Sequence, residues 1–137
     1  MSGAPLCIWL DDAELASVQA EGEEVALRFS VAAARRTGGD GRPVEGFLSR
    51  VTLRLGGARL ALAEGTALAH CQGAVREGRW RSGGQRLAGL PCPGTREGEG
   101  EGVLTLTLRN GAELGIAARA LSVAAAPDAV FRESFAC

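Results

Sequence analysis

An all-β antiparallel domain of about eight strands, closed as a small barrel or folded as a two-sheet sandwich, is the architecture this sequence predicts. Three observations lead there. Short runs along the chain alternate between apolar and polar side chains, as a pleated strand with one buried face requires. Gly-Gly, Asn-Gly and Glu-Gly steps fall between those runs, where hairpin turns need positive backbone torsions. The 137 residues, 46% hydrophobic, fit one domain with enough apolar material for a core.

The elements follow in chain order. Leu6, Cys7, Ile8, Trp9 and Leu10 form an apolar run that ends at Asp11-Asp12. The run is too short for a secretory segment and no basic residue precedes it, so the chain is expected to be cytoplasmic. Residues 12–20 carry two signals. Asp11 stands three residues before Glu14, as in a helix cap, whereas Ala16, Val18 and Ala20 share one face of a strand that turns back at Glu21-Gly22. The strand is the expected outcome. Val25, Leu27, Phe29 and Val31 alternate with polar or small neighbours and form the next strand. A turn is expected over Arg36–Pro43.

A second hairpin is predicted over 46–63. Phe47, Val51, Leu53 and Leu55 form its inner face, Gly56-Gly57 its turn, and Leu60 and Leu62 its return. A third, over 73–90, turns at Ser82-Gly83-Gly84. Pro91-Cys92-Pro93 then leads into an acidic glycine-rich loop, Gly94–Gly102. The clearest hairpin spans 103–123. Leu104, Leu106 and Leu108 alternate strictly before Asn110-Gly111, and Leu114, Ile116 and Ala118 return. A two-residue loop sets Glu113 on the apolar face. A three-residue connection instead sets Leu108 opposite Leu114 and Arg109 opposite Glu113, and is predicted for that reason. Leu121 and Val123 change parity, which places a bulge near Arg119. Thr52–Leu60 echoes Thr107–Leu114, and the echo reads as two hairpins built by the same rules. Residues 130–137 complete the set as a short final strand.

All 15 basic residues are Arg, and Ala (24), Gly (20) and Arg dominate the composition, which points to a GC-rich bacterial genome. The formal net charge is -1 and the sequence pI is near 5.9, which argues against a dedicated nucleic-acid binder. Cys7, Cys71, Cys92 and Cys137 contain no C-x-x-C spacing and are expected to be free thiols.

Chemistry-bearing motifs are sparse. His70-Cys71 places a nucleophile beside a base, but neighbours on a strand point to opposite faces. Neither Gly38-Gly39-Asp40-Gly41 nor the Gly98–Gly102 repeat opens a helix after a strand, so neither is a phosphate cradle. No ligand spacing supports a metal, and no cofactor is expected. Arg76, Arg79, Trp80, Arg81 and Arg86 form the one basic cluster, with the composition of a stacking surface for single-stranded nucleic acid. On a strand, however, Arg79 and Arg81 face away from Trp80. The expected function is a non-catalytic protein-interaction or self-associating module, with a protein partner or a second copy of the chain. Two alternatives stand beside it: a barrel holding an apolar small molecule, and a weak nucleic-acid binder using the Arg/Trp hairpin.

Overall fold

The structure is a computed structural model that describes residues 6–37 and 40–133, without the side chains of 37 and 96–100. Ten strands account for about three-quarters of it: β1 (Leu6–Glu21), β2 (Glu24–Thr37), β3 (Pro43–Gly56), β4 (Arg59–Leu62), β5 (Gly73–Ser82), β6 (Gln85–Leu87), β7 (Gly89–Cys92), β8 (Gly94–Leu108), β9 (Glu113–Ala125) and β10 (Phe131–Glu133). Residues 12–20 are strand, as the alternation implied. The only helical piece among the described residues is a 3-10 turn, Leu68–His70, and no helix is long and apolar enough to cross a membrane. The former turn residues Gly38 and Gly39, the tail from Ser134 and Cys137 lie outside the described residues.

Six strands close on themselves in the order β3, β2, β1, β5, β8, β9 and back to β3, every pairing antiparallel. β4, β6, β7 and β10 extend the ends of the barrel strands. Closure removes the unpaired edges that an open sheet of this length exposes. Inside, Ile8, Leu10, Leu15, Leu27, Phe29, Leu53, Leu104, Leu106 and Ile116 are at most 2% exposed, and no polar or charged residue is buried among the described ones.

Long strands wrap a small barrel only if they bend, and the bends are local. β1 kinks at Asp12 (φ 65) and β3 at Arg50 (φ 52), both left-handed. Each kink exchanges the inward parity. In β1 the buried set is Ile8 and Leu10, then Ala13 and Leu15. In β3 it is Leu48, then Val51, Leu53 and Leu55. Phe47 was expected on the inner face with Val51. The Arg50 kink turns it outward instead, 45% exposed. The Arg50 carbonyl accepts from Ala126 N–H at 2.9 Å, and its guanidinium pairs with Asp128, so the following loop holds the bend.

Three further expectations are corrected. Gly56-Gly57 does not reverse the chain. Leu55 pairs with Leu121 and Arg59 with Ala117, so β3 and β4 run along the same strand, β9, in one continuous register. Gly57 (φ 57) marks a left-handed step at which this strand and β9 change inward parity together without a change of register, and the echo of the 107–114 hairpin is therefore not a second hairpin. Gly94–Gly102 is strand backbone rather than loop. Gly94–Glu97 pair with Val123–Ala120, and an irregularity precedes Gly102, which lies opposite Ala118 near the predicted bulge. The Asn110-Gly111 hairpin does have a three-residue loop, Arg109-Asn110-Gly111, but Leu106 rather than Leu108 faces Leu114. The last position of such a loop takes a left-handed residue, and Gly111 (φ 93) accepts it where Ala112 would be strained. Arg109 consequently reaches Asp12 at 3.0 Å and does not face Glu113.

Candidate functional site

The basic cluster lies on β5 and β6, and the fold separates its parts. Trp80 points into the core, 3% exposed, with its ring against the backbone of Gly102, where an added Cβ would overlap the ring. A base has no face of this indole to stack on. Arg79 spans the seam between β5 and β1. It donates to Asp11 Oδ1 at 2.6 Å, and the Gly78 N–H donates to the same oxygen at 2.9 Å. Burial pushes the Asp11 carboxyl up, but these two hydrogen bonds and the Arg79 charge outweigh it and hold the group below the usual carboxylate range. The Asp11 hydrogen bond in turn raises the Arg79 guanidinium. Arg86 pairs with Glu77 at 3.0 Å. Arg76 and Arg81 are exposed and join no ion pair among the described residues. Five residues adjacent in sequence thus split into a core side chain, a seam latch, a surface pair and two solvated cations.

His70 and Cys71 also part. The Cys71 thiol is buried, approaches the Ala67 carbonyl at 3.6 Å, and is pushed up by burial. His70 is exposed on a cleft of about 510 Å³ at one barrel end, between the 65–72 loop and the Asn110 hairpin. The cleft includes Thr66, Gln72 and Asn110. The Asn110 amide is already committed: Nδ2 donates to the carbonyls of His70 (2.9 Å) and Gln72 (3.2 Å), and Oδ1 accepts from Ala112 N–H (2.9 Å). No group of three metal-ligating side chains occurs among the described residues.

A different surface departs from what a barrel exterior requires. The outer face of an antiparallel barrel ordinarily presents polar side chains to water. Where β1, β2, β3 and β10 lie side by side, the outward row is Trp9, Ala33, Phe47 and Arg132, each directly opposite the next. One step along the strands, Cys7, Arg35 and Glu45 form a parallel row. Arg35 lies 5.8 Å over the Trp9 ring and pairs with Glu45 at 2.6 Å. In the other direction lie Val31, Ser49 and Val130, the last tied by its carbonyl to Ser49 N–H at 3.1 Å. Phe47 and Val130 are 45% and 49% exposed, two of the three large apolar side chains left in solvent among the described residues. Two ion pairs, Arg35–Glu45 and Arg50–Asp128, bound the patch. The Cys7 thiol beside it is pushed up by burial despite the lowering charge of Arg35.

This face was not among the residues singled out from the sequence. The parity argument put Phe47 indoors, and Trp9 and Ala33 belong to other strands. A signal was present: Phe47-Leu48 offers an apolar side chain to each face, and only a kink at Ser49-Arg50 reconciles Leu48 with Val51. No protein-family model, curated protein or solved structure matches the chain.

Proposed function

We propose that this protein is a non-catalytic protein-interaction module that works through the outer face of β1, β2 and β3. The observation that carries the reading is the apolar row Trp9, Ala33, Phe47, aligned across three strands with Phe47 45% exposed. A contiguous apolar patch rimmed by charge, rich in an aromatic and Arg, has the composition of a binding hot spot. The filled core supports a module over a carrier of apolar molecules, because the barrel interior is occupied by its own Leu, Ile and Phe side chains. The separation of His70 from Cys71 supports a binding role over nucleophilic catalysis. The unpaired thiols of Cys7, Cys71 and Cys92 fit a reducing, cytoplasmic compartment.

The test is affinity capture from the host with matched variants. Phe47→Glu alters the face, and Leu68→Glu alters an equally exposed apolar side chain elsewhere. Loss of co-purifying chains, native copies or foreign, with Phe47→Glu alone is the expected result. The same set retained by both variants would overturn the reading.

A further inference from the structure

We infer that the occupant of this face is a second copy of the chain, docked about a two-fold axis running along the strands between β2 and β3. The inference rests on the interaction reading above and adds the partner and the register.

The argument is the order of side chains across the sheet. A two-fold axis in the interface plane reverses that order in the second copy, so each residue meets its mirror position: residue i meets j, and j meets i. The row Trp9, Ala33, Phe47, Arg132 is self-complementary under that reversal. Phe47, the bulky exposed ring, falls on Ala33, the smallest side chain of the row. Trp9 falls on Arg132, whose guanidinium meets the indole beside Arg35, which already lies over the ring at 5.8 Å. Arg132 is exposed and joins no ion pair among the described residues, so its guanidinium is available. In the neighbouring row, Arg35 of one copy meets Glu45 of the other, and Glu45 meets Arg35. The intramolecular pair at 2.6 Å thereby becomes a four-charge cluster of alternating sign. A strongly acidic or basic partner finds no matching field here, whereas a copy carrying the same balanced ion pair does. The net charge of -1 adds no long-range repulsion between copies.

Sedimentation velocity and native mass spectrometry on the full chain test this at up to about 100 µM, where dimers of even modest affinity assemble. A dimer is expected. Phe47→Glu should weaken it at least about thirtyfold, the loss typical of a central anchor. Ala33→Phe is the sharper probe. In the proposed register it fills the socket of the partner ring and weakens the dimer about tenfold or more. A merely sticky surface would gain area and associate more tightly, which would overturn the register. Arg35→Glu alone should weaken association through facing carboxylates, and Arg35→Glu with Glu45→Arg should restore it. Urea midpoints matching the parent show that each variant is folded. A chain that stays monomeric overturns the second copy as occupant, and if capture still depends on Phe47 the interaction reading stands. A dimer indifferent to both Phe47→Glu and Ala33→Phe overturns the two together.

Discussion

The two edges of β1 are held by different means. Along β2 the chain folds back at Gly22-Glu23, and backbone pairing runs from Glu21↔Glu24 to Leu6↔Arg36 with a few bulges. Along the opposite edge β1 is shared. Leu6–Trp9 pair with β7, Glu14 and Leu15 pair with β5, and the stretch between them carries the Asp12 kink. There the Asp11 carboxylate does what a strand carbonyl would do, accepting the Gly78 N–H and the Arg79 guanidinium. A backbone ladder repeats one weak interaction many times and tolerates the loss of any one. Here backbone pairing with β7 and β5 flanks an interruption, and a single carboxylate bridges that gap, which makes it a site that responds to substitution and to acid.

The comparison can be broken most forcefully at Gly78. A Cβ there would lie 2.6 Å from Leu10 Cβ and 2.7 Å from a Leu106 methyl. Gly78→Val should destabilise the fold by about 3 kcal/mol or more, read from the urea midpoint. Removing the latch comes next. Asp11→Ala leaves the Gly78 N–H, on a buried residue, without its acceptor, and should cost about 1–2 kcal/mol.

On the ladder side, Gly22 sits at φ 60 with nothing within 4 Å of an added Cβ. Gly22→Ala therefore meets backbone strain alone, about 1 kcal/mol. Acid sharpens the contrast. The folded Asp11 carboxyl titrates below its unfolded value, so its contribution is present above the ordinary carboxylate range and is lost as pH falls through the lowered folded value. The stability difference between the parent and Asp11→Asn should accordingly be full near neutrality and vanish in strong acid. A difference that grows on acidification would contradict the latch. The smallest effect belongs to Glu24→Gln beside the β1–β2 turn. The Arg54–Glu24 pair, 3.1 Å long, has both side chains more than half exposed, and its loss should change stability by less than about 0.5 kcal/mol.

Alternation and turn chemistry made the hairpin seams readable. The β1–β2, β5–β6 and β8–β9 turns each carry their own signal within a few residues. The closing seams, β1 with β5 and β3 with β9, join segments far apart in sequence, and no local pattern marks them. Gly56-Gly57 and Asn110-Gly111 show the limit most directly. Each places a left-handed glycine after a leucine-rich run. At Asn110 the side chain closes the turn on Ala112 N–H and anchors it to the adjacent loop. At Gly56 no such side chain exists, and β9 is long enough to pair with the chain on both sides of Gly57, so the strand continues. Arg79 and Trp80 illustrate the same limit for function. Their composition suggested a surface, but one closes a seam and the other fills the core.

Strand character and the identity of most core leucines were settled by the order of residues along the chain, because both are local consequences of a two-residue period and of which torsions each residue tolerates. Which strands meet to close the barrel, and which apolar side chains remain outdoors, were settled in three dimensions. A single kink at Arg50 exchanges the two faces of β3 and moves Phe47 from core to surface. The row it completes with Trp9, Ala33 and Arg132 exists only once four separate strands lie side by side.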